Sequence, residues 1–155
     1  MVDYKKLKLL REQTGISFSL CKKALEETKN NIEESKKLLN AWGVKKASEK
    51  SERTTSQGGI FSYVHHNNKV TSMVELFCET DFVSNNTEFK NLGTELSMQA
   101  ASIPTKNAMD FLEQEYIRDP SKTIDSLIKE AVLKFGENIK VGRIMRWELG
   151  KSESV

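Results

Sequence analysis

The sequence contains few of the residues that stabilise small secreted proteins, span membranes or bind metals. Its 155 residues include only two cysteines, Cys21 and Cys78, which are too few for a disulfide framework and are predicted to be reduced core thiols. No apolar run approaches the ~18 residues of a membrane span, so we expect no membrane contact. The two histidines, His65 and His66, are adjacent and would point to opposite faces of a strand. No other residues near them have ligand spacing, so we expect no metal site and no cofactor.

The composition predicts a helix-rich globular protein, because 37% of residues are apolar, 30% are charged and only two are prolines. The formal charge of +2 is unevenly distributed. Residues 1–53 carry 13 Lys and Arg against 8 Asp and Glu, whereas the remainder carries 11 against 14. A basic first third suggests nucleic-acid binding. Its lysines lie among glutamates and it has few aromatics, however, so we interpret it as a solvated helix surface and expect no direct nucleic-acid binding.

Residues 1–53 are predicted to form a head of three short helices, of which the first covers residues 4–14. Three such helices bury little apolar surface, so we expect this unit to be marginally stable alone. The predicted N-caps are Asp3, then Ser17 or Ser19, then Asn31 with a capping box to Glu34, and Gly15 and Gly43 are predicted to end the first and third helices. The predicted core faces are Tyr4, Leu7, Leu10 and Gln13 in the first helix, Cys21, Ala24, Leu25 and Thr28 in the second, and Ile32, Ser35, Leu38, Leu39 and Trp42 in the third.

The segment from Val44 to Arg53 is predicted to be a short helix that frays into a linker. Small polar residues and paired glycines follow from Thr54 to Gly59, which favours a domain boundary there. We therefore predict two domains, residues 1–53 and residues 54–155.

The second domain alternates strand patterns with helix patterns, which predicts an α+β fold with a three-stranded antiparallel sheet covered by helices. Asn67, Asn68 and Lys69 separate the first two strands as a tight hairpin. The predicted strands are Ile60 to His66, Val70 to Glu79, and Ile139 to Leu149 with Val141, Arg143, Met145 and Trp147 on one side. The predicted helices are Thr87 to Ser102, Ala108 to Tyr116, and a last helix capped by Ser121 or Thr123 that carries Ile124 to Phe135 and ends at Gly136.

Thr80, Asp81, Phe82 and Val83 form a corner between the second strand and the following helix. The residues alone leave Phe82 ambiguous. It either folds into the core beside Val83, as buried aromatics usually do, or it is displayed to a partner on a rigid bend next to a carboxylate.

Three separated stretches resemble one known family, elongation factor Ts, in the order that family has them. The stretches are Glu75 to Ser84, with Phe77 where the family usually has Asn; Leu10 to Gly15 followed by Cys21 to Leu25; and Lys134 to Ile139. Because they extend over nearly the whole chain, the match is far more specific than a single short motif.

This resemblance implies a guanine-nucleotide exchange factor that binds EF-Tu·GDP and promotes GDP release by disturbing the Mg²⁺ and phosphate site. The head would be similar to a ubiquitin-associated (UBA) domain and would grip the G domain of EF-Tu. Ser19 and Leu20 depart from the family pattern, and Ser19 is expected to weaken the grip. The residues implied to act near the magnesium site are Thr80, Asp81, Phe82 and Val83, and those implied to hold the G domain are Arg11, Phe18 and Ser19.

The stretch from Phe111 to Thr123 is similar to the short bacterial variety of the family, which has a single core unit, so pairing with a second copy is a hypothesis. Met1 lies three residues before the first predicted helix, which favours a bacterial cytoplasmic protein. No nucleophile, base and orienting group recur at usable spacing, so we expect no enzymatic activity. The alternative interpretation is a helical adaptor whose head binds a peptide or a ubiquitin-like partner. For Phe18, the alternative to a contact with the G domain is a packed core residue.

Overall fold

The computed structural model describes residues 1–152, and the chain divides into two units. The head unit comprises Met1–Glu52 with Lys129–Glu137, and the core unit comprises Arg53–Ile128 with the chain from Asn138 onward. Residues 153–155, the end of the predicted second domain, lie outside the described residues. The elements are α1 (Tyr4–Thr14), α2 (Phe18–Glu27), α3 (Ile32–Lys50), β1 (Gln57–Val64), β2 (Val70–Cys78), α4 (Asp81–Ser84), α5 (Thr87–Ser102), α6 (Ala108–Glu113), β3 (Glu115–Tyr116), β4 (Asp119–Thr123), α7 (Ile124–Phe135) and β5 (Lys140–Glu148).

The head unit begins with three helices whose N-caps are those predicted. Asp3 accepts hydrogen bonds from the backbone N–H groups of residues 5 and 6, and Gly15 ends α1 at a φ of 67°. Ser17 caps α2 and Asn31 caps α3, which confirms a UBA-like three-helix arrangement. The shared core contains Leu7, Leu10, Ile16, Cys21, Ala24, Leu25, Leu39 and, from the last part of α7, Leu133.

Two details of the head differ from the prediction. Tyr4 and Gln13 are exposed, so the buried stripe of α1 is narrower than its periodicity suggested. Gly43 does not end α3, which continues to Lys50. A Cβ atom at Gly43 would lie 3.0 Å from the carbonyl oxygen of Lys129 within the same unit. Gly43 therefore serves close backbone approach rather than helix termination.

Burial also sets the state of the head cysteine. Cys21 is fully buried, and burial raises the pKa of its thiol above the ordinary value, opposed by a hydrogen bond with Thr14. The thiol form is favoured at neutral pH, so the predicted core thiol is confirmed. Cys78 is likewise buried and unbridged, in the core unit.

The core unit is built on an antiparallel sheet of order β1-β2-β5. Ser72, Val74, Leu76 and Cys78 form the buried face of β2, as their alternation predicted. Asn68 adopts a φ of 59° in the hairpin between β1 and β2, which confirms the predicted turn. The paired glycines, Gly58 and Gly59, belong to β1 rather than to a linker. Gly58 has a φ of 144° and lies so close to β2 that a Cβ atom would collide with the carbonyl oxygen of Leu76.

A β-bulge overturns the predicted single face of the last strand. Leu76 pairs with Val141 and Val74 pairs with Ile144, so Gly142 and Arg143 together oppose one residue of β2. Val141 therefore lies on the buried face. Arg143, Met145 and Trp147 lie on the other face, where Arg143 makes a two-pronged ion pair with Glu75.

The histidines do not point to opposite faces as predicted, because β1 ends at Val64 and both residues lie in the turn. Their ring centroids are 4.1 Å apart, and the Tyr63 hydroxyl is 3.0 Å from Nδ1 of His65.

Helix α5 contacts β1 and β2, its bounds are those predicted, and Asn86 caps its first turn. Beyond it the prediction of a helix to Tyr116 is wrong: α6 stops at Glu113 and a small β3–β4 hairpin follows. Gln99, fully buried in α5, holds that hairpin by donating to the Glu115 carbonyl and accepting from the Ile117 N–H, both at 3.0 Å.

Candidate functional site

The predicted corner is a single turn of helix, α4, mounted between β2 and α5. Thr80 caps it by accepting a hydrogen bond from the Val83 N–H at 3.4 Å, and the Ser84 hydroxyl donates to the Asp81 carbonyl at 3.1 Å. The Cys78 thiol donates to the Thr80 carbonyl at 3.2 Å. Because a threonine cap and two rigid neighbours fix the backbone, the turn presents its outer side chains in one orientation.

Phe82 is the most exposed aromatic side chain of the described residues, with 85% of its surface accessible. It stands at the middle of α4, next to the exposed carboxylate of Asp81. Val83 is half-buried. Of the two interpretations left open by the sequence, burial of Phe82 in the core is therefore wrong. The ring is therefore accessible at the surface of the core unit.

The chain just before the turn is tied down by polar side chains that sequence analysis did not single out. The Glu79 carboxylate accepts the Asn138 N–H at 2.7 Å and lies 3.6 Å from the Arg53 guanidinium. The Asn138 amide, almost fully buried, donates to the Arg53 carbonyl at 2.8 Å. Glu79 and Asn138 come from two of the three stretches that carry the family resemblance. Only the strand register brings them together, so no local sequence signal could have paired them.

The second set of predicted residues lies in the head, around the α1–α2 turn. Arg11 is in the last turn of α1 and exposed, and Phe18 opens α2 with 47% of its surface accessible. Ser19 is exposed, and its hydroxyl lies 3.3 Å from that of Ser17. The interpretation of Phe18 as a packed core residue is therefore wrong, and its exposure leaves it available to a partner.

Two features are absent from the described residues. Within residues 1–152 no group of three or more His, Cys, Asp or Glu side chains is arranged to hold a metal ion. No helix in the same range is long and apolar enough to cross a membrane.

Comparison with known proteins places these features in a family. The family model described as elongation factor TS matches residues 79–155, a span that begins at Glu79 and includes the whole of α4. A protein named elongation factor Ts from Leptospira biflexa is 36% identical over 194 aligned positions, covering 96% of this chain and 98% of the relative. The chain belongs to the elongation factor Ts family.

Other members of the elongation factor Ts family show how this chain differs in length. The family member from Coprothermobacter proteolyticus is 36% identical and 96% covered, whereas the one from Aquifex aeolicus is 40% identical and the chain spans only 52% of it. The alignment to the Leptospira protein is longer than the 155 residues of this chain. The Leptospira protein therefore has residues within the aligned region that have no counterpart in this chain.

Proposed function

We propose that this chain is a guanine-nucleotide exchange factor that binds EF-Tu·GDP and promotes release of GDP. The observation that supports the proposal is the 85% exposure of Phe82 on a capped turn, within a stretch that resembles the core signature of the elongation factor Ts family. A displayed aromatic ring beside a carboxylate is suited to enter a partner and disturb polar contacts there.

The proposed mechanism acts on the charge balance around the bound nucleotide. A GTPase holds its nucleotide with a phosphate-cradling loop and a magnesium ion that neutralises phosphate oxygens. Phe82 would wedge between elements beside the magnesium site, with Asp81 holding the turn in place by polar contacts and Thr80 and Val83 supporting its backbone. Once the ion and its ligands are displaced, the phosphate charge is poorly neutralised and GDP dissociates.

The head provides a second proposed contact, to the G domain of EF-Tu. Arg11 supplies a positive charge, and Phe18 supplies a half-exposed ring at the start of α2. Ser19 adds only a hydroxyl group, so we expect it to contribute less binding energy than an apolar residue at the same position would. No covalent bond is broken in this process, so the chain acts as a binding protein rather than an enzyme, in the cytoplasm where elongation takes place.

Thermodynamic linkage supplies the test. If the chain weakens GDP binding to EF-Tu by some factor, GDP must weaken binding of the chain by the same factor. The chain should therefore form a complex with nucleotide-free EF-Tu on size-exclusion chromatography, and added GDP should dissociate it. A complex that is indifferent to GDP, or no complex at all, would favour the adaptor alternative, in which the head binds a peptide or a ubiquitin-like protein.

Pairing of two copies is a further part of the proposal. The outer face of the three-stranded sheet carries apolar side chains on all three strands, and Met73 pairs directly with Met145. The apolar side chains are Ile60, Val64, Met73, Met145 and Trp147. Covering such a face with a second sheet removes its apolar side chains from water, which is favourable. We therefore propose that the outer sheet face forms the contact between two copies.

A further inference from the structure

The chain that leads into α4 extends beyond the hydrogen-bonded ladder of its sheet. The last backbone pair between β2 and β5 is Phe77 with Lys140. Two residues further along, the antiparallel register places Glu79 opposite Asn138, beyond the last pair of the ladder. There the Glu79 carboxylate accepts the Asn138 N–H at 2.7 Å. The Glu79 side chain thus connects the two segments immediately before Thr80, the N-cap of α4.

The same carboxylate and amide also fix a third segment. Arg53 contributes its guanidinium, 3.6 Å from Glu79, and its carbonyl, which accepts from the Asn138 side-chain amide at 2.8 Å. Asn138 is only 3% exposed, so losing the Arg53 carbonyl removes a hydrogen bond from a buried amide. The contacts share the same side chains, so we expect the loss of one contact to weaken the others.

We propose that Glu79, Asn138 and Arg53 form a polar clamp that positions the Phe82 turn for nucleotide exchange. The inference rests on the proposed function, because it assigns these residues to the same site. None of the three is assigned a contact with the GTPase. They act through α4: the clamp fixes the backbone one residue before the Thr80 cap, so releasing it lets the whole turn, and the ring upon it, leave its fixed orientation.

The test compares Asn138→Ala with a matched variant, Gln99→Ala. Both replace a buried amide of the core unit that donates to a backbone carbonyl, but Gln99 holds the β3–β4 hairpin rather than the turn. The rate at which each variant releases a fluorescent GDP analogue from EF-Tu is measured. Asn138→Ala is expected to release the analogue about 5-fold more slowly, a change within the range of interaction energies between residues in contact. Gln99→Ala is expected to retain the wild-type rate.

Combination with Phe82→Ala separates positioning from general stability. If the clamp acts through the ring, Asn138→Ala causes no further loss in a chain that already carries Phe82→Ala. Equal losses with and without the ring, or an equal loss from Gln99→Ala, would overturn the proposal. Should Asn138→Ala fail to fold, Glu79→Ala takes its place, with Glu79→Gln as the conservative variant that keeps an oxygen for the Asn138 N–H and restores the rate.

A readout without EF-Tu keeps the inference distinct from the proposed function. The N–H groups of Ser84 and Asn85 donate to the Thr80 and Asp81 carbonyls at 3.2 and 2.9 Å. Amide hydrogen exchange at these two positions should become faster in Asn138→Ala and stay unchanged in Gln99→Ala. Unchanged exchange in Asn138→Ala overturns the clamp even if the wild-type chain releases GDP. A wild-type chain that releases no GDP, with faster amide exchange in Asn138→Ala, refutes the proposed function but leaves the clamp standing.

Discussion

Truncation of Phe82 to alanine should separate partner binding from folding. The ring is 85% exposed and makes no part of the buried core, so Phe82→Ala should leave the thermal unfolding midpoint of the chain unchanged. Burying a phenylalanine side chain in an interface contributes about 1.5–3 kcal/mol, and truncating such an anchor costs about 2 kcal/mol. That free energy corresponds to about a 30-fold slower release of GDP from EF-Tu at a limiting concentration of the chain.

The assay follows a fluorescent GDP analogue that leaves EF-Tu after excess unlabelled GDP is added. The matched control is Met109→Ala, which removes an apolar side chain that is 75% exposed in the same unit but lies on α6. The control should release nucleotide at the wild-type rate. Wild-type release by Phe82→Ala would refute the reasoning, and so would an equal loss in both variants.

Three further predictions concern packing, ionisation and assembly. Gly93→Ala should lower the free energy of unfolding by about 1–3 kcal/mol in a denaturant titration, because its Cβ atom would collide with the Phe61 ring. Thr94→Ala, at the exposed neighbouring position of the same helix, should leave the free energy of unfolding unchanged. Burial, together with a hydrogen bond to Glu95, raises the pKa of Tyr116 to about 12. The neutral phenol therefore contributes to the stability of the folded chain below the ordinary tyrosine pKa, and this contribution is lost as the pH rises towards 12. Tyr116→Phe should remove this late step from the ultraviolet phenolate titration, and its persistence would show that another tyrosine causes it. Met73→Glu should reduce the mass measured by light scattering to that of one 17.6 kDa chain if two copies pair through the outer sheet face; a wild-type chain that is already 17.6 kDa at micromolar concentration contradicts the pairing.

Features that depend on a few neighbouring residues were predictable from the sequence. Asp3 and Asn86 cap helices because their side-chain oxygens reach N–H groups two or three residues away. Gly15 ends α1 because glycine adopts positive φ without strain. The alternation along β2 identified its buried face correctly, since burial on one side of a sheet requires a period of two.

Features that depend on distant residues were not predictable. Gly43 resembles a helix stop, but its role is set by the backbone of Lys129, which no local pattern reveals. The bulge at Gly142 depends on how β5 pairs with β2, and it moves Val141 to the opposite face. Within the candidate site, the sequence left open whether Phe82 is buried or exposed, and the structure shows that it is exposed.

The polar support of the site shows the same division. Glu79 and Asn138 both lie in stretches that resemble the elongation factor Ts family, yet neither stretch indicates that the two residues touch. Their contact follows from a register that extends from Phe77 and Lys140, and the register is fixed by the whole sheet. The sequence pattern identified the two segments, but only the fold shows that they are in contact.

The most direct test of the central claim is the number of GDP molecules that one chain releases from EF-Tu. A trace of the chain is added to an excess of EF-Tu loaded with fluorescent GDP, with unlabelled GDP present. The account predicts that each chain releases many nucleotides and that nearly all of the label is lost far faster than it is without the chain. Release that stops after one nucleotide per chain, or that proceeds at the spontaneous rate, would contradict it.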